Sequence, residues 1–307
     1  MADVGILNLY KPPGISSNFF LTKIKKFLPK DYLKVGHFGT LDPMACGVLL
    51  IGYNGAARLN SFVLQMPKTY LAVGSCLGQT VTGDRTEEIS DFSDQAKILE
   101  YFSSSIDKKD FIVKNLIGEY WQAPHLFSAA KFKGKSLYAW ARSGRPIVKE
   151  KQKRNIYQLE ILRERAPYIL FKVTVSSGTY VRTLFEDYCR EFGLLGHLVS
   201  LVRLSVGNFN ISDSLKLDEI KSGNIFPINP SSIISLPQIN LDENERVKFI
   251  HGAYLFNRFA ISDYSDGQHL WVRDANGQCL GLGQIAFSGE YLALKPVLNW
   301  FRPIDQN

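Results

Sequence analysis

The sequence predicts an α+β fold, with a mixed, largely antiparallel sheet core followed by a small C-terminal β-barrel-like domain. Strand-like and helix-like segments follow one another irregularly along 307 residues, without the regular strand–helix period that builds a doubly wound parallel sheet. Beyond about residue 245, short strand-like runs are separated by glycine and aspartate, which is typical of a small β domain. We therefore predict a large domain over residues 1–240 and a second domain over residues 245–307.

Apolar spacing and capping residues predict the elements of the first half. Ser17 or Asn18 is suited to cap a helix that continues, with apolar residues at helical spacing, to about Leu28, where Pro29 ends it. The other predicted elements are strands over 5–10, 48–52 and 70–77 and a helix over 94–102.

In the second half, residues 156–162 and 168–175 alternate in the manner of a strand hairpin. A helix is predicted over 183–192, with Gly193 as its C-terminal stop. The serine- and proline-rich stretch 211–241 is interpreted as a linker that wraps back over the core. The strands predicted for the C-terminal domain cover 253–261, 269–272, 279–287 and 291–297.

Composition favours a cytoplasmic protein. No segment approaches the roughly 20 apolar residues that cross a bilayer. The first residues lack the basic and then apolar layout of a signal peptide. Four cysteines lie far apart without a Cys-x-x-Cys pair, so the sequence indicates neither a zinc site nor a disulfide framework.

The positive charge is concentrated in residues 123–154, which we call the insertion. This segment carries nine basic residues against the single acid Glu150, which gives +8 within a chain of net charge +7, so the rest of the chain sums to −1. Its interleaved aromatic residues are Phe127, Phe132, Tyr138 and Trp140. Aromatic faces among phosphate-binding cations suit single-stranded or looped RNA, although a solvated charge run is the simpler alternative.

One carboxylate, Asp42, lies between a glycine-punctuated turn and an apolar strand-like run. Pro43 favours an extended conformation at Asp42, and the nearby glycines permit tight turns or a close approach to a ligand. A pocket of this kind could hold a nucleophile. An aspartate before proline in a glycine-rich loop is also a common turn former, so the residue types alone leave both interpretations open.

Six segments in register resemble the motifs of the TruB-type pseudouridine synthases, which convert the uridine at position 55 in the T-arm of tRNA. These segments cover residues 9–17, 36–50, 67–70, 77–84, 177–183 and 196–204. The resemblance implies a pseudouridine synthase core with residues 123–154 as a mobile thumb that closes over the T-loop. Residues 281–285 and 294–296 resemble a PUA-like RNA-binding domain, though less specifically.

The resemblance also implies roles for individual residues. Asp42 would be the catalytic carboxylate, Arg182 its ion-pair partner, and Tyr70 the aromatic that stacks on the flipped uracil. The residues expected at the substrate site are His37, Asp84, Tyr180, Leu201 and Lys11. Of these, Asp84 would be a nearby polar support, and Lys11 would position its turn and the phosphate backbone. The cations of the thumb expected to contact phosphates are Lys131, Lys133, Lys135, Arg142 and Arg145.

The reaction implied is an isomerisation, so we expect no metal or redox cofactor. A carboxylate can attack or stabilise a sugar carbon with oxocarbenium character. The expected partner is the T-arm stem-loop of tRNA, bound by a monomer that needs no protein partner. The alternatives are an RNA-binding or tRNA-folding module with incidental catalysis and an RNA-guided pseudouridine synthase of the dyskerin type. A glycosidase would need a second carboxyl group as the general acid, and the sequence shows no evident pair of catalytic carboxylates.

Overall fold

The computed structural model describes residues 4–256, 263–288 and 291–300, which form two principal sheets with helices packed around them. In chain order the strands are β1 (Gly5–Lys11), β2 (Gly36–His37), β3 (Cys46–Tyr53), β4 (Lys68–Ser75), β5 (Gly78–Thr80), β6 (Ile89–Phe92), β7 (Gly118–Gln122), β8 (Lys131–Phe132), β9 (Lys135–Ser136), β10 (Gln152–Arg165), β11 (Tyr168–Val175), β12 (His197–Val206), β13 (Phe209–Asn210), β14 (Gln238–Asn240), β15 (Leu255–Phe256), β16 (His269–Arg273), β17 (Cys279–Ser288) and β18 (Tyr291–Asn299). The α-helices are α1 (Ser17–Ile24), α2 (Asn60–Gln65), α3 (Gln95–Ser103), α4 (Ile106–Leu116), α5 (Leu137–Arg142), α6 (Val181–Arg190), α7 (Leu217–Lys221) and α8 (Glu243–Ile250).

The first sheet runs in the order β1-β3-β12-β4-β11-β10-β7, with β2 added to β3 and β13 added to β12. Its neighbours are antiparallel except for β3 and β12, which are parallel. The predicted mixed, largely antiparallel core is therefore confirmed. The predicted hairpin is formed by β10 and β11, and the insertion leaves the sheet between the paired strands β7 and β10.

The first helix differs from its prediction at both ends. Ser16, rather than Ser17 or Asn18, is its N-cap, and its Oγ accepts a hydrogen bond from Phe19 N. The helix ends at Ile24 rather than near Leu28. The hydroxyl of Ser17 is engaged elsewhere, because it bonds both the amide and the carbonyl of Leu41 at 2.8 and 3.1 Å. This contact ties α1 to the loop that carries Asp42.

The stretch 211–241 wraps back along the first sheet, as predicted. Its backbone bridges to β1 at Leu215 and Ile228, opposite Leu9 and Ile6. It also contains the short helix α7. The chain thereby covers the edge of the sheet next to β1 before it enters the second sheet.

The second sheet is curled and runs in the order β14-β16-β17-β18-β15. It begins at Gln238, because β14 pairs with β16 in parallel, seven residues before the start predicted for the second domain. Of the predicted strand over 253–261, only residues 253–256 lie within the described residues. The two sheets share a buried apolar cluster whose members include Ile6, Val48, Leu50, Trp271, Leu282 and Leu298. The C-terminal sheet is thus packed directly on the first one.

Within the described ranges, no helix is long and apolar enough to span a membrane. The four cysteines are free thiols. Over the same residues, no three His, Cys, Asp or Glu side chains converge in the manner of metal ligands.

Candidate active site

The loop that carries Asp42 connects β2 to β3 and is fixed from several sides. Lys11 Nζ lies 3.4 Å from the carbonyl of Pro43, and the amide of Gly14 donates to the same carbonyl at 2.8 Å. At the end of the loop, Gly47 has a φ of +104° and lies against β12, where a Cβ would meet the carbonyl oxygen of Arg203 at 2.3 Å. A glycine is therefore required at residue 47, and the loop leads directly into the parallel β3–β12 pair.

Asp42 forms a two-point ion pair with Arg182 at the start of α6. Its Oδ1 accepts a hydrogen bond from Arg182 Nη2 at 3.0 Å, and its Oδ2 lies 2.9 Å from Nε. The Arg182 side chain is 3% exposed, whereas 31% of the Asp42 side chain is open to the cavity in front of it. The buried guanidinium therefore fixes the orientation of the Asp42 carboxylate, and the part of the carboxylate that faces the cavity stays accessible.

Arg182 is itself held by a ring of acceptors. Nη1 donates to the carbonyl of Thr82 at 2.5 Å, and Nη2 donates to the carbonyl of Phe127 at 3.1 Å. Asp84, which is 3% exposed, lies 3.8 Å from Nη1. Its carboxylate accepts hydrogen bonds from the Thr86 amide at 2.9 Å and from the Thr82 hydroxyl at 3.0 Å. Asp84 thus adds a second negative charge beside the buried guanidinium.

The electrostatics of Asp42 reflect two opposing effects. Burial raises the pKa of the Asp42 carboxyl, and the Arg182 guanidinium opposes that rise. The nearby charge of Asp84 raises the pKa of Asp42 further. Arg182 is therefore the group that most strongly favours the ionised form of Asp42.

A cavity opens in front of Asp42, and its walls come from three other elements. Tyr70 of β4 is 9% exposed, Tyr180 precedes α6, and Leu201 of β12 is 5% exposed. The side-chain amide of Gln122 holds the backbone of Tyr180 through two hydrogen bonds, at 2.7 and 3.0 Å. The structure thus brings together at one cavity four of the residues predicted from the sequence.

Two buried cations also line this cavity and received no role from the sequence. Lys68 donates to the carbonyls of Leu64 and Met66, and burial lowers the pKa of its ammonium to about 8. Arg203 donates from Nε to the carbonyl of Val48 at 2.7 Å, and its Nη2 has no hydrogen-bond partner among the described residues. Both residues fall within recognised motifs, but spacing alone could not indicate that they lie in the cavity wall.

Lys11, the last residue of β1, is not among the residues that line the cavity. Its side chain is fully buried, and its ammonium donates to the carbonyls of Pro12 and Ile15 at 2.9 and 2.7 Å. Burial also lowers the pKa of Lys11 to about 8. Lys11 therefore stabilises the turn that supports Pro43.

His37 lies on β2, outside the cavity that contains Asp42. Its Nε2 is 2.9 Å from Oδ1 of Asn18 on α1, which fixes the ring beside the helix. Burial, with a smaller effect from Arg203, lowers the pKa of His37. The imidazole is thus held as a half-buried neutral ring on the approach to the loop of residues 38–45.

The insertion presents its predicted cations to solvent. It consists of the hairpin β8–β9, helix α5 and flanking loops, and the cations exposed on it are Lys131, Lys133, Lys135, Arg142 and Arg145. Lys135 Nζ lies 4.9 Å from the ring centroid of Trp140, and the Arg142 guanidinium carbon lies 4.9 Å from that of Tyr138. The aromatic residues therefore support a cationic surface.

Comparisons with known proteins agree on one family. A family model described as TruB family pseudouridylate synthase, N-terminal domain, matches residues 25–181. The tRNA pseudouridine synthase B of Caldanaerobacter subterraneus is 32% identical over 284 residues, 92% of this chain and 95% of the relative. That of Clostridium kluyveri is 37% identical over 267 residues, 85% of this chain and 86% of the relative. Among solved structures, a Cbf5-Nop10-Gar1 complex contains a chain of similar fold, with a TM-score of 0.67, 22% identity and coverage of 98% of this chain and 87% of that one.

Proposed function

The chain belongs to the TruB family of pseudouridine synthases and isomerises uridine to pseudouridine in tRNA, and on this premise we propose that its target is the uridine at position 55 in the T-arm loop. The observation that carries the proposal is the carboxylate of Asp42, which is oriented by a buried arginine and open on its other side to a cavity walled by Tyr70, Tyr180 and Leu201. In our proposal this cavity receives the one flipped nucleotide.

The flipped uracil stacks on the ring of Tyr70, and Asp42 acts on the sugar or on the base. During the isomerisation the N-glycosidic bond breaks, the uracil turns within the closed pocket, and a bond from carbon 5 of the base to the sugar forms. The proton released from carbon 5 is balanced by one gained at nitrogen, so no oxidant or reductant is consumed. Unstacking the target base costs a few kcal/mol, which contacts between the protein and the surrounding RNA must offset.

Three parts of the chain supply those contacts in our proposal. The insertion closes over the T-loop and binds phosphates through its exposed cations. His37 occupies the place that the flipped base leaves. The C-terminal sheet, which includes β14, acts as a PUA-like RNA-binding domain beside the core.

A minimal substrate tests the proposed target. We expect the purified protein alone, without metal, nucleotide, guide RNA or protein partner, to convert one uridine in a T-arm stem-loop. Pseudouridine would be measured after incubation with the stem-loop and with a control in which the target uridine is replaced by cytidine. Conversion that requires a guide RNA or an added protein would contradict the proposal.

The salt dependence of binding tests the role of the insertion. Each phosphate contact contributes a slope of about −0.7 to −0.9 in log affinity against log salt. Replacing Lys131, Lys133 and Lys135 together with alanine should therefore flatten that slope by roughly two to three units. The matched control replaces the exposed lysines Lys97, Lys114 and Lys216, which lie outside the insertion, and should leave the slope unchanged. Equal slopes for the first triple variant and the wild-type protein would show that these cations are only a solvated surface.

A further inference from the structure

Behind the Asp42–Arg182 pair lies a second polar pair, formed by His125 at the start of the insertion and Glu186 on α6. His125 Nε2 lies 3.9 Å from Glu186 Oε1, and the two side chains are 9% and 21% exposed. Glu186 lies one helical turn after Arg182, so the same face of α6 carries both residues. Neither the reaction nor the RNA contacts proposed above use this pair.

The contacts of His125 fix the state of its ring. Nδ1 accepts a hydrogen bond from the amide of Phe127 at 3.1 Å and lies 3.4 Å from Nη1 of Arg182. Two N–H groups converge on this nitrogen, so its lone pair is free of a proton and the ring proton lies on Nε2. That proton faces the carboxylate of Glu186. Burial and the charge of Arg182 lower the pKa of His125 to about 3, in agreement with a neutral ring.

The loop that contains Gly83 packs against the His125–Glu186 pair. A Cβ at Gly83 would lie 2.5 Å from Glu186 Oε1 and 3.0 Å from His125 Nε2, so a larger residue here would displace one or both side chains. The φ of Gly83 is +69°, a conformation that also favours glycine. The residues on either side, Thr82 and Asp84, are the ones that contact Arg182.

The same contacts connect the guanidinium to the insertion. Phe127 gives its amide to His125 and its carbonyl to Arg182. Its ring packs edge-on against Tyr138 of α5, with centroids 6.1 Å apart. A continuous series of contacts thus joins the basic helix of the insertion to the catalytic ion pair.

We propose that His125 and Glu186 are positioning residues for the proposed reaction, which set the orientation of Arg182 and, through it, of Asp42. His125 provides a neutral acceptor for the guanidinium, and the Glu186 carboxylate, 3.9 Å from Nε2, restrains the imidazole by electrostatic attraction. The inference rests on the function proposed above, in which Asp42 is catalytic.

Substitutions at His125 distinguish its role as a hydrogen-bond acceptor from the packing of its ring. In His125→Asn the amide oxygen takes the place of Nδ1, whereas His125→Phe keeps the ring and removes both nitrogens. We expect His125→Phe to lower the single-turnover rate at saturating T-arm stem-loop by about tenfold or more, because a hydrogen bond to a charged group is lost. RNA affinity should stay within about threefold of wild type, and His125→Asn should restore most of the rate. A wild-type rate in His125→Phe, or equally slow turnover in both variants, would overturn the proposal.

The pH dependence of the rate tests Glu186 separately. Burial raises the pKa of Glu186 to about 7, so its carboxylate loses its charge as the pH falls through neutrality. The charged groups facing the pair, besides its own two members, are Arg182, Asp84, Asp187 and Arg190. We expect the wild-type rate to fall between about pH 8 and about pH 6, and Glu186→Gln to lack that step. A step of the same size in Glu186→Gln would refute the role of Glu186, even if His125→Phe does not fold.

A parallel assay of Asp42→Asn distinguishes failure of the positioning role from failure of the proposed catalytic function. If Asp42→Asn is inactive and His125→Phe turns over at the wild-type rate, the proposed function stands and the positioning role is refuted. If Asp42→Asn keeps the wild-type rate, the proposed catalytic function itself fails.

Discussion

Asp42→Asn will abolish pseudouridine formation and leave RNA affinity within a few-fold of wild type. The amide has the shape of the carboxylate but carries no charge, so it can neither attack nor stabilise a sugar carbon with oxocarbenium character. Loss of a covalent or charge-stabilising catalytic group lowers turnover by about 10⁴-fold or more. Single-turnover conversion of a T-arm stem-loop at saturating protein measures this effect without interference from binding.

Thermal unfolding of the Asp42→Asn variant serves as the control that it is folded. Asp84 remains 3.8 Å from the guanidinium, so Arg182 keeps one counter-charge in the variant. We therefore expect a cooperative transition close to that of wild type. Turnover within tenfold of wild type in the folded variant would remove Asp42 from the catalytic role.

Substitution of Arg182 should affect both rate and stability. Arg182→Met leaves the carboxylates of Asp42 and Asp84 without their shared cation, and removing one partner of a buried ion pair costs about 3–5 kcal/mol. Arg182→Lys keeps a charge, but one ammonium cannot reproduce the planar fork that reaches both oxygens of Asp42. We expect Arg182→Lys to lower the single-turnover rate by about 100-fold.

The pH profile shows whether Arg182 acts through the ionisation of Asp42. Arg182 lowers the pKa of Asp42, so its removal raises that pKa, and the carboxylate is then protonated at a higher pH. The profiles are compared in the Glu186→Gln background, because Arg182 and Arg190 also lower the pKa of Glu186. The acid limb of the rate profile should consequently move to higher pH in Arg182→Met. The matched control is Arg190→Met on the same helix, since Arg190 is 69% exposed and pairs with Asp187 at the surface. Coincident acid limbs for Arg182→Met and Arg190→Met would contradict this mechanism.

The sequence was most informative where one short segment carried both a chemical group and its backbone requirements. Residues 36–50 combine Asp42 with a glycine at residue 47, where a Cβ would meet the carbonyl oxygen of Arg203 at 2.3 Å. The structure gives this segment the predicted turn and strand. The antiparallel pair β10–β11 followed from local alternation of apolar residues. Local patterns of this kind do not depend on distant contacts.

The error at Ser17 and the omission of His125 both involve contacts between residues far apart in the chain. Ser17 has the composition of a helix cap, but its hydroxyl is bonded to Leu41. His125 carries no local signal, because its partners are Arg182 and Glu186, about 60 residues away. Such roles emerge only once the strands bring those segments together.

Mapping of pseudouridine at single-nucleotide resolution tests the central claim most directly. Unmodified full-length tRNA transcripts would be incubated with the purified protein alone and, in parallel, with Asp42→Asn. We predict complete conversion of the uridine at position 55 by the wild-type protein, with no other uridine changed and no conversion by the variant. Pseudouridine at another position, or at position 55 in the reaction with Asp42→Asn, would contradict the account.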